Sequence, residues 1–159
     1  MVKNFIRDHL EEIENYCRPL EERGLIKRQD TYGIKYGGDG YTIGIVCERY
    51  SYDETGIYID FPTSYKNCSF NFSVFGEYYR VCCAETYWKQ HALVDFRKLD
   101  VSSWERNVLK ELFIMIDFLL ENFEQLTNVS YCEKRHWDVF DYGKKYYQIV
   151  EQQAMEKGL

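Results

Sequence analysis

Residues 41–88 alternate. In a first run Ile43, Ile45 and Cys47 share one parity while Thr42, Gly44 and Glu48 take the other. Ile57, Ile59 and Phe61 repeat the pattern against Tyr58 and Asp60, and Phe70, Phe72 and Val74 repeat it against Ser69, Asn71 and Ser73. Successive side chains of a strand point to opposite faces, so this is the signature of an antiparallel sheet with one face buried and one wet. The pattern predicts strands over 41–50, 56–61, 68–75 and 78–88, with a further short one over 31–36. Gly37-Gly38-Asp39-Gly40 supplies a hairpin turn. No helix pattern and no Lys-Ser/Thr pair follows these glycines, so they are not read as a phosphate cradle. Residues 52–55 and 64–67 are read as the remaining turns.

Helical spacing flanks the strands. Phe5, Ile6, Leu10, Ile13, Tyr16, Cys17 and Leu20 make one amphipathic helix, kinked or restarted at Pro19 and stopped at Gly24. Ser102 and Glu105 read as a capping box ahead of a long apolar helix with Leu109, Leu112, Phe113, Ile116, Leu119, Leu120 and Phe123 as its core stripe. Ile114 and Phe118 flank its polar strip, which implies packing on a second side. Trp137, Phe140, Gly143, Tyr147, Val150 and Ala154 predict a final helix that could supply it. The expected architecture is α+β: an antiparallel sheet of four to five strands, with an N-terminal helix and two C-terminal helices packed on one face.

Bulk properties narrow the classes. The chain has 159 residues, read as a single domain over 1–159 with enough length for a sizeable core. The formal net charge is −6, and residues 1–80 and 81–159 each hold 13 acids and 10 bases. No basic cluster is available to hold phosphates, so nucleic acid is not expected as a partner. Leu112 to Leu120, the longest apolar run, contains Asp117 and falls far short of the ~20 residues that span a bilayer. Asp117 itself shares a polar strip with Arg106, Lys110, Glu121 and Glu124, which reads as a solvated face. The amphipathic start has no signal-peptide core, and the expectation is a cytoplasmic protein whose six cysteines are reduced.

The chemistry-bearing residues give no catalytic motif. Cys82-Cys83, His91 with Asp95, and Cys132 with His136 offer thiols and imidazoles, yet no cysteine stands at a helix start or strained turn that would activate it. Adjacent strand cysteines point apart, and only Cys132 and His136 have a chelate-like spacing, so neither metal nor other cofactor is expected. The 95–100 loop has the alternating charges of a functional loop and no assignable reaction.

The polar parity of the strands is richer. It places Glu48, Tyr50, Tyr58, Asp60, Tyr79, Glu85 and Tyr87 on the wet face of the sheet, where tyrosine supplies rigid contact area and the acids would steer a basic protein partner. The expected function is non-enzymatic protein binding, concretely a small inhibitor or immunity-type protein that occludes a toxin or effector. Burial of the same face in a homodimer is one alternative. A pocket between sheet and helices using His91 or His136 as base is another.

Overall fold

The computed structural model describes residues 4–47, 55–65, 68–78, 81, 101–156 and 158. Among the described residues five strands form one antiparallel sheet in chain order: β1 (Ile26–Gln29), β2 (Gly33–Gly37), β3 (Thr42–Cys47), β4 (Thr55–Tyr65) and β5 (Cys68–Ser73). Every strand therefore pairs with its sequence neighbour, with Ile34 opposite Ile45, Ile45 opposite Ile57, and Ile59 opposite Phe72. The α+β class and the alternation both hold. Ile43, Ile45, Cys47, Ile57, Ile59, Phe61, Phe70 and Phe72 are all buried beside Ile34 and Tyr36.

Three short helices replace the single N-terminal one: α1 (Phe5–Asp8), α2 (Leu10–Tyr16) and α3 (Arg18–Glu22). Pro19 accounts for the second break, because its ring cannot follow the carbonyl four residues back and fits only the first turn of a new helix. The first break is one residue wide, since His9 still donates to the Phe5 carbonyl while Ile13 donates to that of His9. Gly24 ends α3 at φ 92°. Its N–H bonds to the Glu21 carbonyl and that of Leu25 to Leu20, a Schellman closure that brings the buried Leu20 and Leu25 together.

Two expectations for the strands are corrected. The run beginning at 68 stops at Ser73, whose hydroxyl accepts from Gly76 N–H at 3.2 Å and opens α4 (Val74–Tyr78). Tyr78 is thus a helix residue, and the rest of the 78–88 strand, apart from Val81, lies outside the described residues. The fifth strand comes from the other end of the chain. It is β1, joined to β2 by a turn in which Asp30 Oδ1 accepts from Tyr32 and Gly33 N–H at 2.8 and 3.0 Å. β4 also runs further than its alternation, to Tyr65, with a register shift after Phe61 where Pro62 has no N–H for the ladder.

Residues 101–156 carry three helices: α5 (Val101–Glu121), α6 (Phe123–Leu126) and α7 (Val129–Glu156). Ser102 lies inside the first turn of α5 rather than ahead of it. Val108, Leu109, Leu112, Met115, Ile116 and Leu119 carry α5 onto the core, and Asp117 is exposed as its strip predicts. What packs on the second side of α5 is α4, through an edge-on contact of Tyr78 with Phe118 at 5.3 Å. Tyr16 joins α2 to α5 by stacking on Phe113 at 4.1 Å and donating to Asp117 at 2.7 Å. The described helices gather on the apolar face of the sheet. α7 reaches that face through His136, edge-on to Phe70 at 5.2 Å.

Asn4 fastens the start of the chain to the sheet. Its Oδ1 accepts from Ile6 and Arg7 N–H at 2.9 and 3.3 Å, capping α1. Its amide donates to the Cys47 carbonyl at 2.9 Å. One buried side chain thus serves both a helix start and a strand end.

Candidate functional site

The strand registers fix what stands on the face away from the helices. One cross-sheet row runs Arg28, Lys35, Gly44, Tyr58, Ser73, and the next runs Ile26, Gly37, Thr42, Asp60, Asn71. Tyr58 and Asp60, both predicted here, do share this face, each half-buried. Glu48, Tyr50, Tyr79, Glu85 and Tyr87, the other predicted members, lie outside the described residues, as do His91 and Asp95 of the pocket reading.

The described part of the face is flatter than its tyrosines suggest. The Tyr58 ring lies along its own strand over Gly56, so that a Cβ there would stand 2.8 Å from it. Gly33 has no room for a side chain either, because a Cβ would strike the Ile45 carbonyl. Asp60 accepts from Ser69 Oγ at 2.8 Å. The described charges on this face are Arg28, Lys35 and Asp60, so the acidic character expected of it does not extend over β1 and β2. Lys35 is met by Asp30 at 2.6 Å. Burial alone would raise the Asp30 carboxyl, but the hydrogen bonds from Lys35 and from the Tyr32 and Gly33 N–H groups outweigh it and hold it below its usual value.

A second polar centre was not singled out by sequence. Glu77 of α4 is 1% exposed, and its Oε1 accepts from Arg135 Nε and Nη2, both at 3.0 Å, and from the Tyr131 hydroxyl at 2.9 Å. Arg135 also lies over the Tyr131 ring at 5.8 Å. A buried carboxylate countered in place by a guanidinium and a phenol reads as a joint between α4 and α7. The only signal available in sequence was a Glu beside aromatics in a segment whose strand pattern ends.

Three of the described thiols, Cys17, Cys47 and Cys132, are buried. Burial pushes the Cys17 and Cys132 thiols up to about 12, which leaves them protonated and unreactive near neutrality. Cys132 bonds the Leu126 carbonyl at 3.2 Å, while His136 rests on Phe70 and Trp137, so the two do not form a dyad. Tyr36 buries its hydroxyl against Cys17 without a well-formed hydrogen bond, and burial, then the thiol beside it, raises that phenol. A depression of about 350 Å³ lies where α5 meets α6. Arg23 borders it, with its guanidinium over Phe123 at 4.4 Å, and no predicted site residue lines it.

Comparison with family models, curated proteins and solved structures finds no match for this chain. No described helix is long and apolar enough to cross a membrane.

Proposed function

We propose that this domain works by binding a protein partner on the sheet face opposite its helices, without catalysing a reaction. The observation that carries the reading is the one-sidedness of the fold. The described helices cover the Ile and Phe face, whereas Tyr58, Asp60, Thr42 and Asn71 stand on the other, on strands held rigid by the core beneath them. A flat, polar, aromatic-bearing surface on a rigid sheet suits protein recognition better than enclosure of a small molecule. The concrete form is a small inhibitor or immunity-type protein that covers the working surface of a toxin or effector.

Affinity capture from host lysate tests it, comparing wild type with the Tyr58→Ala/Asp60→Ala variant. The expected result is a stoichiometric partner that the variant loses while its circular dichroism and melting curve stay close to wild type. Equal capture by a folded variant would move recognition off this face. Light scattering across dilutions covers the competing case, since a stable dimer broken by the same substitutions would make the face a self-interface.

A further inference from the structure

We infer that β1 is a docking edge for an extended acidic segment of another protein, which adds to the sheet as a sixth strand. This goes beyond the recognition face above. It uses the far edge of the sheet and does not depend on Tyr58 or Asp60.

β1 is the edge of the described sheet, so its outer side carries the backbone N–H and carbonyl groups that β2 does not use. Its side chains divide by face. Lys27 and Gln29 turn toward the helices, where Lys27 Nζ lies 3.4 Å from Glu14 and Gln29 donates to the same carboxylate at 2.6 Å. Ile26 and Arg28 turn the other way. Ile26 is 70% exposed, and Arg28 is exposed with no ion pair or hydrogen bond among the described residues.

Arg28 stands directly opposite Lys35, an unfavourable like-charge pair that Asp30 relieves only on the lysine side. A carboxylate placed opposite Arg28 from the outer side would complete the charge balance. An apolar residue two positions along would cover Ile26, because alternate residues of an added strand share a face. The same cations argue against a second copy. Two β1 strands laid antiparallel at their registers of greatest overlap bring Lys27 or Arg28 opposite Lys27 or Arg28. The edge thus rejects its own kind and accepts an acidic strand.

The probe is a short synthetic peptide alternating Thr with one Glu and one Val, so spaced that Glu falls opposite Arg28 and Val opposite Ile26. It is titrated into the ¹⁵N-labelled full chain at low salt. Amide shifts should concentrate on β1 and β2. Arg28→Glu should weaken binding at least about threefold and turn preference toward the same peptide carrying Lys in place of Glu. Arg28→Gln should weaken the Glu peptide without creating that preference. Shifts that are absent, that spread evenly over the protein, or that are unchanged in Arg28→Glu overturn the proposal. So does movement of the same amides on concentration without peptide, which would make the edge a self-pairing surface.

Discussion

The two faces of this sheet use the same strands for opposite ends. On one, Ile43, Ile45, Ile57 and Ile59 are wholly buried, and the face is defined by volume. On the other, Tyr58 and Asp60 are half-buried and Asn71 is exposed, and the face is defined by its polar and aromatic groups. The difference teaches that the strands are rigid because of one face and available because of the other. Substitutions should therefore divide sharply by parity even between adjacent residues.

The largest effect is expected where polarity crosses into the packed side. Arg135→Met leaves the Glu77 carboxylate buried without its guanidinium and should cost about 3–5 kcal/mol in chemical denaturation. If the loss is under ~1 kcal/mol, the joint between α4 and α7 is not fixed by charge. Next, Ile59→Ala should cost about 2–5 kcal/mol and Asp60→Ala about 0.5 kcal/mol or less, although the two are neighbours. Equal losses would mean that the second face is packed as tightly as the first.

Asn4→Ala comes third, at about 2 kcal/mol, since it removes a helix cap and strips the buried Cys47 carbonyl of a donor. Asn4→Ser, which keeps the cap and cannot reach as far, should recover part of this. The smallest effect is one of pH. The Asp30 carboxyl is depressed in the fold, so its stabilisation is present above its unfolded value of 3.8 and is lost as pH falls through the lower folded value. Melting temperatures measured from about pH 6 down to 3 should fall less steeply in Asp30→Asn than in wild type. Parallel curves would remove Asp30 from the acid response.

The apolar face was legible because a period of two leaves few ways to bury Ile43, Ile59 and Phe72 together. β1 was not, and the reason is physical. Lys27 and Gln29 occupy its helix-facing positions, and their partner Glu14 lies in α2, so a long-range polar contact stands where an apolar residue would have shown the alternation. α4 was hidden differently. Val74 and Phe75 are good strand formers that continue the parity of β5, and the Ser73 hydroxyl caps a helix there instead. For the candidate site, Tyr58 and Asp60 could be placed by parity alone, being interleaved with Ile57, Ile59 and Phe61 on one strand. Glu77 could not, because the residue that explains it is 58 positions away.

Chain-order pairing in the sheet also bears on how the molecule is assembled. Each hairpin, from β1–β2 to β4–β5, closes between neighbours and incurs little loop entropy, so the sheet can grow from any turn without awaiting a distant strand. The costly closures are those that bring the last helices back: Tyr16 to Asp117 across 101 residues, and Glu77 to Arg135 across 58. The sheet is the part a growing chain can begin to form early. Its apolar side, however, is only partly covered by α1 to α4 until α5 has been made, which exposes the nascent protein to aggregation during that interval.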